Sequence, residues 1–178
     1  DDLATYAQYD LDTRWANLAL GGRYEDQEAV GGHFVPRVAL TKAWEAWHLK
    51  ALYSEAFRIP GLFVVRDAAV APMEAEQTRN YEVEGGYRFS DTLAWVANAF
   101  YMEVAKPIIY DSGGSGDADD GYYNATNDLS TYGLENELRW TQARCSGQLS
   151  YSCYRADDNQ VDYVRGAAAR FLAAPAHK

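Results

Sequence analysis

Residues 80–102 read NYEVEGGYRFSDTLAWVANAFYM, two alternating runs around a short polar turn at Ser90 and Asp91. In the first run Tyr81, Val83, Gly85, Tyr87 and Phe89 share one face, and Glu82, Glu84, Gly86 and Arg88 share the other. In the second, Leu93, Trp95, Ala97, Ala99 and Tyr101 repeat the apolar stripe. A period of two on both sides of a tight turn predicts a β-hairpin with one apolar and one charged face. Its length points further. Globular strands run about 5–6 residues, whereas a tilted strand needs about 9–11 to cross a bilayer.

The rest of the chain extends this pattern. Eight strands are expected, over 3–11, 16–26, 33–42, 46–57, 79–89, 92–102, 131–140 and 145–155, with an alanine-rich helix candidate at 166–174. The connections 12–15, 43–45, 90–91 and 141–144 are short. Between them lie 27–32, 58–78, 103–130 and 156–178. Short turns on one edge and long loops on the other are the pattern of outer-membrane barrels. Three structureless loops of about 20 residues or more would be unusual in a soluble domain. All five tryptophans, Trp15, Trp44, Trp47, Trp95 and Trp140, lie beside short turns. Tyr24, Tyr53, Tyr81, Tyr101 and Tyr154 lie toward the long loops. Two girdles of aromatic rings suit two membrane interfaces; a soluble β-sandwich gives no reason for every Trp to gather on one edge.

Faces elsewhere agree. Phe34, Pro36, Val38 and Leu40 oppose Val35, Arg37 and Thr41. Leu49, Ala51 and Tyr53 oppose Lys50 and Ser54, and Tyr132, Leu134, Leu138 and Trp140 oppose Glu135, Glu137 and Arg139. Asn136 interrupts the apolar face, and Pro36, lacking an N–H, is expected at a bulge or strand end.

Composition sets bounds. The chain has 178 residues, 48% of them hydrophobic, yet its mean hydropathy is −0.42 and no run approaches the roughly 18 apolar residues of a membrane helix. A net charge of −10 argues against a nucleic-acid partner on electrostatic grounds. Cys145 and Cys153 sit eight residues apart on one expected strand, about 26 Å at 3.3 Å per residue and beyond disulfide reach. With three scattered histidines, His33, His48 and His177, they give no metal-ligand spacing.

At this point several stretches resemble one family. SEAFRIPGLF (54–63), PMEAEQTRNYEVEGGYRF (72–89) and YYNATNDLSTYGLENELRW (122–140) resemble, in order, three stretches of the TonB-dependent outer-membrane receptors. TYAQYDLD (5–12) and LALGGRYED (18–26) are similar to the family's preceding hairpin. The resemblance implies an all-β antiparallel meander of about eight long strands, part of a 22-stranded transmembrane barrel with a plugged lumen. It also implies active import, across the outer membrane, of a scarce ligand such as an iron–siderophore complex, cobalamin or a sugar. The implied partners are the lipid bilayer, the protein's own plug, TonB acting through it, and a small-molecule or metal-chelate ligand. The family's plug, TonB box and final aromatic-ended strand have no counterpart here, so residues 1–178 are expected to be an internal section of the barrel's C-terminal half. A passive porin-like or structural barrel is the alternative.

Candidate site residues fall in two groups. Arg37, Lys50, Glu82, Glu84, Arg88, Glu135, Glu137 and Arg139 are expected to face the lumen, lining it or bonding the plug. Glu82 and Glu84 have no His or nucleophile near them in sequence, so no catalytic site and no enzyme are expected. In the loops, Arg58, Tyr110, Asp117, Asp119, Asp120, Tyr122 and Tyr123 are ligand-binding candidates. The three Asp offer hard oxygens suited to Ca²⁺ without an EF-hand spacing; otherwise no cofactor is expected. The tyrosines offer stacking surfaces, Arg58 offers an anion contact or a snorkelling cation, and the apolar run 61–65 can pack over a ligand or against other loops.

Overall fold

The computed structural model describes residues 2–27, 31–68, 72–111, 121–157, 160–161 and 169–170. Eight long strands are β1 (Asp2–Asp12), β2 (Asn17–Gln27), β3 (Gly31–Ala43), β4 (Trp47–Arg58), β5 (Glu76–Ser90), β6 (Leu93–Ala105), β9 (Leu129–Gln142) and β10 (Cys145–Asp157). They form one antiparallel sheet in the order β1-β2-β3-β4-β5-β6-β9-β10. All eight expected strands are present, each within a few residues of its expected limits. A short helix α1 (Leu62–Arg66) and a hairpin of β7 (Ile108–Asp111) and β8 (Gly121–Asn124) occupy the two longest internal connections. Those loops therefore have structure that the sequence reading did not assign. Of the helix candidate at 166–174, Ala169–Arg170 is instead a strand, β12, paired with β11 (Gln160–Val161); the remainder lies outside the described residues.

The strand register encodes a tilt. One row of paired residues runs from Asp12 and Asn17 through Thr41, Lys50, Glu84, Asn98 and Glu135 to Ser152. It starts at the tip of the first short hairpin and passes two residues from the paired end of the second, Ala43 with His48. In the third it lies five residues from Leu93, and in the fourth seven from both Gln142 and Cys145. Seven residues over the six strand spacings between first and fourth hairpins, at about 3.3 Å per residue and 4.8 Å per spacing, is a slope of about 0.8, or about 40°. Transmembrane barrels tilt their strands by about 35–45°. Tilting this sheet by its own stagger brings the four short turns to one level.

The register also fixes the two faces. Tyr53, Tyr81, Tyr101 and Tyr132 pair in one row on the apolar face. Two residues further toward the long loops, the same face carries Glu55, Arg79 and Glu103, paired in the next such row, and Arg79 donates to Glu103 Oε1 at 2.9 Å. An apolar face that turns ionic immediately past a tyrosine row has the form of a membrane boundary. Toward the short turns Trp47, Tyr87 and Trp95 share a row, and Trp47 packs on Tyr87 with ring centroids 4.6 Å apart. Tyr154 is a correction. It pairs with Gly133 on the polar face, and the β9 member of the upper girdle is Tyr132. Pro36 ends no strand. The β2–β3 ladder runs through it, but the β3–β4 ladder stops at Arg37 and Ser54, where the missing N–H leaves β4 without a donor. The bulge lies at Arg88–Ser90 instead. Cys145 and Cys153 are both free and both on β10.

β1 and β10 are the edges of the eight-stranded sheet, and Leu3, Leu149 and Tyr151 stand at least half exposed on their apolar faces. Unpaired apolar edges template aggregation. Produced alone, the chain is expected to collect in inclusion bodies and to refold into polydisperse material. A monodisperse, heat-modifiable monomer in detergent would contradict this.

Candidate ligand-facing site

Among the described residues, one cluster of buried apolar residues lies at the long-loop end of the sheet, where the β7–β8 hairpin meets β6 and β9. Ile109, Ala125 and Leu129 pack together with Val104 and Tyr123, and Leu129 is 2% exposed. Val104 and Leu129 pair across β6 and β9 with the parity of Met102 and Thr131, which is the polar face. The β7–β8 hairpin is thus folded over the polar side of the sheet. Its Ile109–Tyr123 pair faces that wall, and its neighbouring pair, Tyr110 with Tyr122, turns away from it.

Hydrogen bonds hold this cap in shape. Asn124 accepts from the Glu74 N–H at 2.8 Å and donates to the carbonyls of Glu74 at 3.0 Å and Lys106 at 2.9 Å. Lys106 sits at φ 52°, a left-handed conformation costly for a side-chain-bearing residue. It is held there by that carbonyl bond and by its ammonium's ion pair with Glu74. Glu76 accepts from the Ile108 N–H at 3.0 Å and from Arg58 at 2.6 Å. The Tyr122 N–H donates to the Asp67 carbonyl at 2.9 Å, tying α1 to the hairpin. The two loops are therefore one body.

On its outward side rings gather. Tyr110 and Tyr122 lie 4.9 Å apart between centroids, and Phe63 of α1 meets Tyr122 edge-on at 6.4 Å. Phe63 and Tyr110 remain 59% and 50% exposed. The Arg66 guanidinium sits 5.0 Å over Phe63 and donates to Asp67 at 2.9 Å. That hydrogen bond, and then the Asp67 charge, raise the Arg66 pKa above its ordinary value.

The loop candidates thus separate. Exposed Tyr110 and half-buried Tyr122 come together, Tyr123 packs against the core, and Arg58 is engaged by Glu76 on the polar-face parity rather than directed to lipid headgroups. Asp117, Asp119 and Asp120 lie outside the described residues. Among the described residues no three His, Cys, Asp or Glu converge as a metal site. Phe63 lies within the apolar run 61–65 that the sequence marks, whereas Arg66, just past it, carries no signal there.

Lower on the polar face, Glu84, Asn98, Glu135, Glu137, Arg139 and Ser150 line an open cleft of about 340 Å³. Asn98 Oδ1 is buried there without a hydrogen-bond partner among the described residues. Glu137 pairs with Arg139 and accepts from Gln148 at 2.6 Å. Glu82 accepts from Asn80. Arg37 shares the polar face, and Lys50 stands directly opposite Glu84. Glu84, which has no histidine near it in sequence, gains one in space. Strand pairing puts His48 Nε2 at 3.1 Å from its Oε1, with the imidazole stacked over the space where a Gly86 side chain would stand. Arg88 is spent elsewhere, donating to the Glu45 carbonyl at 2.7 Å and clamping the β3–β4 turn.

An eight-stranded meander with tilt, girdles and a braced loop cap matches one known family across its whole length: the family described as TonB dependent receptor-like, beta-barrel, over residues 1–178. The chain belongs to that family. This is a family of receptors and transporters rather than enzymes. Among solved structures, the siderophore receptor PirA from Pseudomonas aeruginosa superposes with a TM-score of 0.74 at 18% identity, covering 87% of this chain and 32% of that one. The FrpB iron transporter from Neisseria meningitidis (F3-3 variant) gives 0.70 at 18%, covering 87% and 25%. The ferripyoverdine receptor of the outer membrane of P. aeruginosa, bound to ferripyoverdine, gives 0.70 at 18%, covering 99% and 24%. At these identities the likeness is one of fold. The chain spans about a quarter to a third of the length of these structures. A comparison with curated proteins returns no match.

Proposed function

We propose that this chain is a section of the barrel of a TonB-dependent receptor that imports a scarce ligand, such as an iron–siderophore complex or cobalamin, across the outer membrane. Family membership supports a barrel of that kind. The observation that carries the importer reading is the cap: two loops braced into one body over the polar face, with Phe63 and Tyr110 exposed on its outward side. A passive pore gains nothing from such a surface, whereas a receptor must meet its ligand there. In this reading the 22-stranded barrel continues beyond β1 and β10 at about the same tilt. The cleft with Asn98, Glu135 and Glu137 receives donors from the plug, which leaves its buried acceptor satisfied. Loop Asp117, Asp119 and Asp120 remain candidates for Ca²⁺.

The test is uptake. In cells lacking other ferric receptors, the full-length protein should accumulate radioiron from a chelate only while TonB is intact. Accumulation that is unchanged without TonB would favour the passive barrel. The topology has its own check. An epitope inserted at Gly61 in the full-length protein should be labelled on intact cells, and one at Asp91 only after permeabilisation; the reverse would invert the barrel.

A further inference from the structure

The apolar parity of the eight long strands carries its charged residues toward the long loops, with one exception. Lys42 stands on that face at the short-turn end of β3, opposite Leu49 and two residues past Leu40, both of them exposed. A cation on the lipid side of a barrel is costly unless its head reaches the interface. The Lys42 ammonium is led there by one bond, donated at 2.6 Å to the carbonyl of Arg14 in the β1–β2 turn, which leaves two of its three N–H groups. The Arg14 guanidinium lies 4.6 Å over the Trp15 ring. Among the described residues neither cation has an ion-pair partner.

The turn that brings them together is fixed. The Thr13 hydroxyl accepts from the Trp15 N–H at 3.2 Å and the Ala16 N–H at 3.1 Å, and donates to the Ala16 carbonyl at 2.7 Å. Trp15 and Trp44, each more than half exposed, flank the two cations in sequence. Asp12 is on the polar face, in the row of Asn17 and Thr41, so the β1–β2 and β3–β4 turns set a single acid, Glu45, against Arg14 and Lys42. The other short turns lack this arrangement. Asp91 is the only charge in the β5–β6 turn, and beside Arg144 of the β9–β10 turn the nearest cation, Arg139, is on the polar face and paired with Glu137. A chain of net charge −10 thus keeps one small cationic spot on its lipid-facing rim.

We infer that Arg14 and Lys42 seat the phosphodiester of an anionic phospholipid at the short-turn boundary of the membrane, with Trp15 and Trp44 beside its glycerol. A guanidinium offers phosphate a planar fork and an ammonium a point charge, and indole rings settle at headgroup depth. Lys42 rises between lipid-facing leucines, so the seat opens toward the bilayer rather than toward solvent. The inference rests on the barrel reading of the two faces and goes beyond it by naming one lipid site.

The full-length protein in detergent, titrated with dimyristoylphosphatidylglycerol or dimyristoylphosphatidylcholine, reports lipids retained by native mass spectrometry. Wild type should retain one phosphatidylglycerol more than the Arg14→Gln, Lys42→Gln double variant. At about fivefold for each basic side chain near an anionic headgroup, affinity at that site should fall by about tenfold or more. Glutamine at 42 can still donate to the Arg14 carbonyl. Arg14→Gln alone alters an exposed side chain without a hydrogen-bond partner among the described residues, so its several-fold loss reads binding even where the double variant folds poorly. Lys42→Arg and Arg144→Gln should retain the wild-type count, and millimolar inorganic phosphate should not displace the lipid. Equal retention by wild type and the double variant, equal loss in Arg144→Gln, retention of phosphatidylcholine as strong as of phosphatidylglycerol, or displacement by inorganic phosphate overturns the inference. In each of those cases a protein that needs detergent to stay folded leaves the barrel reading standing; one that stays folded and monodisperse in water brings down that reading itself.

Discussion

Gly85→Arg in the full-length protein is expected to cut folding into lipid vesicles sharply, while Ser150→Arg folds close to wild type. The two sites lie at one depth. Gly85 is five residues from the short-turn end of β5 at Ser90, and Ser150 is five from the short-turn end of β10 at Cys145. After the tilt, that is about 13 Å, half of an apolar band about 25 Å tall. Gly85 is on the apolar face, opposite Leu49 and Ala97, with open space around a new side chain. Arginine there meets hydrocarbon, at roughly 2–4 kcal/mol. Ser150 is on the polar face beside Glu137, where a guanidinium finds a carboxylate. Adjacent Gly86, which sequence alone offers as the matched control, is unsuitable, because a Cβ there would lie 2.0 Å from the His48 ring. Equal tolerance at Gly85 and Ser150 would remove the membrane assignment of the faces.

Leu129→Ala should open the cap without unfolding the barrel. Leu129 is the most buried member of the small core, and large-to-small changes at such sites cost about 2–5 kcal/mol. A core of five residues between the hairpin and the strand ends has little reserve against that loss. Limited proteolysis should then cut between β6 and β9, hydrogen exchange should rise at Ile108 and Ala125, and the heat-modifiable barrel band should persist. Leu134→Ala, on the same strand but 46% exposed on the apolar face, is the comparison and should leave the cap resistant. Cleavage at the same rate in both variants would mean that the buried cluster does not hold the loops.

How much of this the sequence discloses follows from which interactions are periodic. A strand whose two faces meet different media writes that difference into every second residue, so Tyr81–Phe89 and its neighbours are legible with their orientation. Where the alternation is shallow, as in Ser150, Tyr151, Ser152, Cys153 and Tyr154, one tyrosine is put on the wrong face. The cap has no period at all. Pro107, Ile109, Ala125 and Leu129 are scattered apolar residues in a polar stretch, and only the fold shows that they meet. Pairings between distant strands are equally silent in sequence, which is why His48 beside Glu84 emerges only when β4 and β5 are laid together. Tyr110 and Tyr122 are visible as candidates because tyrosine in a loop is conspicuous, but Phe63, which meets Tyr122, sits in a short apolar run that reads equally as packing over a ligand or against other loops.

The ladder that stops at Pro36 leaves the wall with a seam. From there toward the long loops β3 is bonded to β2 and β4 to β5, and neither to the other. The gap is spanned by a side-chain stack, His33 on Phe57 with centroids 4.7 Å apart. Parting one ring pair is far easier than stripping a row of backbone hydrogen bonds, so the rim can yield along this line while the rest of the wall stays shut. An outward load on the rim would find its give between β3 and β4.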